Sequence, residues 1–71
     1  MTEAQALAAF SALSQETRLR IVRLLVTAGP DGLAAGAIGE TVGASSSRLS
    51  FHLSHLEQAG LVQSRREARS I

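Results

Sequence analysis

Apolar positions recur at helical spacing along most of this 71-residue chain, and the breaks between the runs fall at Ser, Gly and Pro. Glu3 to Leu13 is rich in Ala, a strong helix former, and carries Leu7, Phe10 and Leu13 on one side. That predicts a first helix suited to packing against another helix or subunit. Ser14 reads as the N-cap of a second helix, with Glu16 in its first turn complementing the helix dipole. This helix is expected to run to about Ala28. Leu19, Ile21, Val22, Leu24, Leu25 and Val26 cover most of its circumference. Glu16, Arg20, Arg23 and Thr27 share the remaining strip, which makes it the central core helix.

Gly29-Pro30-Asp31-Gly32 is a strong turn signal. Leu33 to Val42 predicts a short third helix with a weak pattern, because Gly36 and Gly39 interrupt it and only Leu33, Ala37, Ile38 and Val42 can reach a core. Gly43 supplies its stop. A fourth helix is expected from Ser45 to Gln58, capped by Ser45 or Ser46, with Leu49, Leu53 and Leu56 as its apolar face and Gly60 beyond its end. Leu61 to Arg65 predicts a short strand, Arg66 to Arg69 a turn, and Ser70-Ile71 the start of a returning strand. There are no repeats and no low-complexity linker.

A chain of this size is one small domain, burying only roughly 60% of its unfolded surface. It has no cysteine, so neither a disulfide nor a thiolate site can form. Met1-Thr2-Glu3 lacks the basic start of a signal peptide, and no apolar run reaches the roughly 20 residues of a membrane span. No membrane association is expected, and a cytoplasmic location fits. Net charge is only +1, but all seven basic residues are Arg, the side chain suited to bidentate phosphate and guanine contacts. An Arg-rich genome would produce the same count; the clustering of Arg65, Arg66 and Arg69 near the C-terminus is more telling.

Two short helices joined by Gly43-Ala44-Ser45 match a helix-turn-helix. The second would be long enough to cross a major groove, at roughly 1.5 Å per residue. With its leucines committed to the core, Ser45, Ser46, Ser47, Arg48, Ser50, Phe51, Ser54 and His55 remain as candidate DNA-binding residues. Serine hydroxyls serve base edges and phosphates, small side chains permit close approach, and Arg48 can fork onto a guanine or a phosphate. Phe51 lies nearly opposite the leucine stripe, where it would pack on a thymine methyl or, alternatively, against another part of the domain or a dimer partner. Arg18 projects from the apolar side of the second helix. It reads as a partly buried guanidinium held by a carboxylate or by helix carbonyls rather than as a DNA contact.

The whole arrangement resembles the ArsR-type family of arsenical-resistance and metal-sensing repressors. The residues that carry the resemblance are Leu13 to Ile21, Gly32-Leu33, Ser50 to Leu56 with Ala59 to Val62, and Arg66 to Ser70. It covers nearly all of the chain. The resemblance implies a mainly α fold with a small β-hairpin wing, a winged helix-turn-helix truncated within that wing. It implies a homodimeric, ligand-relieved repressor of double-stranded DNA with an inverted-repeat operator. Ser45 to Gln58 would then be the recognition helix, and Arg65, Arg66 and Arg69 a phosphate clamp at the wing tip. Leu7 and Phe10 of the first helix would supply part of the dimer interface. Two departures stand out. The stretch before the recognition helix, Leu33 to Glu40, has no thiol for a metalloid. The C-terminal helix that holds sensor ligands in other members is also not present, so a small-molecule or metalloid inducer would act through a region outside these residues.

His52 and His55, three apart, could place two imidazoles on one metal, but no Asp or Cys joins them locally. A satisfied, half-buried His52 is the simpler reading, and neither a metal nor a cofactor is expected. No nucleophile elbow, glycine-rich phosphate loop or paired-carboxylate pattern supports an enzyme. The remaining alternative is a winged-helix protein-interaction module without DNA binding, which the low net charge and Phe51 would suit.

Overall fold

The structure, a computed structural model, describes residues 1–64. Four helices follow one another: α1 (Glu3–Leu13), α2 (Glu16–Ala28), α3 (Ala35–Val42) and α4 (Ser46–Gln58). The start of α1 is fixed by a reciprocal pair of bonds. Thr2 Oγ1 accepts from the Gln5 amide at 3.0 Å, and Gln5 Oε1 accepts from the Thr2 amide at 2.7 Å. Two amide donors that a helix start would leave unpaired are thereby satisfied.

Ser14 is not the cap of α2. It ends α1, with its hydroxyl donating to the Ser11 carbonyl at 2.6 Å. Gln15 takes the capping role instead, its side-chain oxygen accepting from the Arg18 amide at 2.8 Å. Helix α3 also starts later than expected. Gly32 has φ +71°, and Ala34 is extended, so Leu33 and Ala34 approach the helix outside it.

Glycines close α3 and α4 in the same way. Gly43 (φ +71°) and Gly60 (φ +77°) both adopt the left-handed conformation. The Ala44 amide then reaches the Gly39 carbonyl at 3.0 Å, and the Leu61 amide the Leu56 carbonyl at 3.0 Å. These are the long C-terminal bonds that satisfy orphan helix carbonyls.

The core is built from Ala12, Ile21, Ile38, Leu49, Leu53 and Leu56, with Ile21, Ile38 and Leu56 fully buried. Each helix contributes to it, and α2 packs against all three others. Helix α1 docks through the small residues Ala9 and Ala12, not through the larger apolar side chains that set its periodicity. No strand forms among the described residues. Leu61 and Val62 pack onto the core as irregular chain. The first strand of the expected wing is therefore absent over 61–64, where the chain forms no ladder; among the described residues a β-bridge falls at Ala34, just before α3. The expected turn and returning strand lie outside the described residues. The fold is mainly helical. No helix among the described residues is long and apolar enough to cross a membrane.

Candidate nucleic-acid interface

The α3–turn–α4 unit is held by close approach. A Cβ placed on Gly39 would lie 3.3 Å from the Ala44 carbonyl oxygen and 3.3 Å from Leu49 Cδ2. Glycine at this buried position lets the turn and the start of α4 fold down onto α3. Leu49, Leu53 and Leu56 then anchor α4.

Ser45 caps α4, its hydroxyl accepting from the Arg48 amide at 3.4 Å and lying 3.5 Å from Ser47 Oγ. Part of its bonding capacity is thus committed to the helix start. Ser46, Ser47, Arg48, Ser50, Phe51, Ser54 and His55 are all exposed. They do not form one uniform surface. Ser45, Ser46 and Ser50 line an open groove of about 630 Å³ between α3 and α4, together with Glu40. Glu40 places a carboxylate at the edge of the candidate interface, a feature that the residue pattern of α4 alone did not reveal. Its exposed position three residues from α3's stop was the available signal. Ser47, Phe51 and Ser54 follow one another at helical spacing on the outward side, opposite the leucines. His55 lines a small hollow with Ala8 and Ser11 of α1, so it sits toward α1.

Arg48 has no carboxylate within ion-pair distance among the described residues, where the ion pair found is Arg20–Glu16 on α2 at 2.7 Å. A free guanidinium beside serines is equipped to bind an anion or a base edge. Arg18 behaves differently. It is half-buried, and its Nε donates to the Ala12 carbonyl at the end of α1 at 2.7 Å. The sequence reading of a guanidinium held by helix carbonyls matches this geometry.

His52 is half-buried, but it is not the satisfied histidine expected. Its Nδ1 is buried and has no hydrogen-bond partner among the described residues. Burial, and then the positive charges of Arg18, Arg48 and His55, hold its pKa below the ordinary value of 6.5. The ring is therefore uncharged at neutral pH. Phe51 meets His52 edge-on at 5.4 Å and His55 at 6.2 Å between ring centres.

Leu7 and Phe10, expected at a dimer interface, are 62% and 71% exposed on the outer side of α1. Arg65, Arg66 and Arg69, the expected wing clamp, lie outside the described residues.

Residues 13–65 match a family model described as a helix-turn-helix domain. The chain is similar to three curated bacterial proteins. It is 38% identical over 61 residues to YceK of Bacillus subtilis, an uncharacterized HTH-type transcriptional regulator, covering 86% of this chain and 60% of that protein. It is 43% identical over 61 residues to the nodulation protein NolR of Rhizobium meliloti, covering 86% and 48%. It is 37% identical over 67 residues to the HTH-type transcriptional regulator YgaV of Escherichia coli, covering 94% and 66%. The chain thus spans about half to two thirds of the length of these relatives. With the family model matched over most of its length, through the turn at Gly43 and the whole of α4, the chain belongs to the helix-turn-helix domain family.

Proposed function

We propose that this chain is the DNA-binding part of a sequence-specific transcriptional regulator of the ArsR type, acting in the cytoplasm as a homodimeric repressor that a ligand releases. The observation that carries the reading is the exposed face of α4. A helix cemented by three leucines presents Ser47, Arg48, Ser50, Phe51 and Ser54 outward, immediately after a glycine turn. At 13 residues it extends roughly 20 Å, enough to lie in a major groove. The names of two relatives as transcriptional regulators support the same reading.

In this account Arg48 and Ser50 contact base edges, while Ser45, Ser46 and Ser47 contact phosphates near the start of α4. Arg65, Arg66 and Arg69 clamp phosphate, and each neutralised phosphate adds to the salt dependence of binding. Leu7 and Phe10 join two copies across a two-fold axis. That places the two α4 helices about 34 Å apart, facing an inverted repeat.

The test is fluorescence anisotropy of a labelled duplex from the region upstream of the gene, against a scrambled duplex, at low and moderate salt. Tighter binding to the native duplex that persists at moderate salt is expected. Equal or absent binding to both would sink the proposal. One observation favours a second reading, a protein-interaction module: Phe51, Leu7 and Phe10 are all exposed. In that case Phe51→Ala would abolish self-association or partner binding while DNA affinity stayed negligible throughout.

A further inference from the structure

Phe51 is the one large apolar side chain on the outward face of α4, and 64% of it is exposed. Its neighbours about one turn away on that face, Ser47 and Ser54, are too small to cover a phenyl ring. Two imidazoles do touch it. His52 and His55 stand at 67° to the phenyl plane, with centres 5.4 and 6.2 Å away. Edge-to-face contacts of this kind favour one ring orientation. The ring is therefore supported from within its own helix, yet most of its surface stays in water.

A phenyl group neither donates nor accepts a hydrogen bond. In the major groove every base edge presents polar atoms, and the one apolar feature is the C5 methyl of thymine. Pressed against a purine N7 or O6, or an exocyclic amine, the ring would strip water and return no bond. Pressed against a methyl group, it buries apolar surface on both sides.

We propose that Phe51 is a specificity-determining residue that reads the 5-methyl group of a pyrimidine in the major groove, with His52 and His55 positioning its ring. This rests on the DNA-binding reading above and deepens it by assigning a chemical group to one side chain. Because the ring recognises the methyl group rather than a hydrogen-bond pattern, 5-methylcytosine partly substitutes for thymine, and uracil does not.

The test begins by selecting binding sites from random duplex DNA with the chain itself. Each thymine of a selected site is then replaced in turn by deoxyuridine, cytosine and 5-methylcytosine, and affinities are measured by anisotropy. At one position in each half-site, loss of the methyl is expected to weaken binding about fourfold, the equivalent of roughly 0.8 kcal/mol per methyl-sized group. There 5-methylcytosine should bind better than cytosine. Phe51→Ala should bind the thymine and uracil duplexes equally, and Phe51→Leu should keep part of the difference. An exposed ring can be removed without unfolding the domain, and circular dichroism of both variants checks this. Methyl dependence at no position, or its survival in Phe51→Ala, overturns the proposal. If the chain selects a sequence but no methyl-dependent position appears, the inference falls and the DNA-binding reading stands. If it selects no sequence at all, both fall. Loss of self-association in Phe51→Ala with methyl discrimination intact would assign the ring to a protein interface and overturn the inference.

Discussion

Replacing Arg18 with Met tests the joint between α1 and α2. Helix α1 has no basic residue in its last turn, so its negative end lacks a local cation. Arg18 supplies one from α2, donating to the Ala12 carbonyl at 2.7 Å. Methionine keeps a flexible apolar stem of similar reach and removes the charge and the donor. A hydrogen bond involving a charged group contributes about 1.5–3 kcal/mol when well shielded. Arg18 is only half-buried, and water can reach a helix-end carbonyl, so about 1–1.5 kcal/mol is the appropriate loss. For a domain of this size each kcal/mol moves Tm by about 4–8 °C, which gives a fall of about 4–12 °C. Thermal unfolding followed by far-UV circular dichroism measures it. The same variant should leave the salt slope of DNA binding unchanged, since the guanidinium is turned toward α1. A Tm within about 2 °C of wild type would refute the structural role. A salt slope reduced by about one would show that Arg18 holds a phosphate instead.

Leu56→Ala removes a fully buried side chain at the centre of the core and should cost about 2–5 kcal/mol, enough to populate the unfolded state in urea titrations at room temperature. Gly36→Ala should raise stability by about 0.5–1 kcal/mol, because a Cβ there meets nothing. Gly39→Ala should gain less or lose stability, since its Cβ would crowd Ala44 and Leu49 at 3.3 Å; equal gains from both would contradict the packing of the turn. His52 has a lower pKa folded than unfolded, so its contribution to stability is complete well above 6.5 and is lost as pH falls through 6.5 toward the folded value. Chemical denaturation across that range should show the decline, and His52→Gln should reduce it. Arg48→Ala and Ser50→Ala should relax sequence choice in competition binding, whereas Arg66→Ala should weaken all duplexes alike and lower the salt slope by about one.

Much of this fold can be read from the residues, and the failures have local causes. The leucines of α4 and the glycines at positions 43 and 60 mark the last helix because a buried stripe and a left-handed stop are both sequence-local signals. Arg18 was interpretable for a similar reason: a guanidinium on an apolar face must find an acceptor, and a helix end offers one. The cap of α2 was misplaced because two adjacent side chains compete for it. Ser14 bonds backward to Ser11 and leaves the forward amide to Gln15. Helix α1 is apolar around much of its circumference, so periodicity favoured Leu7 and Phe10, while close packing went to the smaller Ala9 and Ala12. The strand expected from Leu61 does not form over 61–64 because strand pairing is not a local property: Leu61 and Val62 are partly buried against the core without a ladder. Within the candidate site, the polar character of α4 was legible residue by residue. Its division was not. Ser46 and Ser50 share a groove with Glu40, and His55 leans to α1, both of which depend on where the neighbouring helices lie. That the Nδ1 of His52 has no partner among the described residues likewise depends on which groups the neighbouring helices bring near it.

The most direct test of the central claim, that α4 is the surface that meets DNA, is an amide chemical-shift titration of the isotope-labelled chain with a selected duplex. The largest changes are expected on residues from Ser45 to Ser54, with smaller ones near Glu40 and little change at Leu7 and Phe10. Changes concentrated on α1, or spread evenly with none centred on α4, would contradict it.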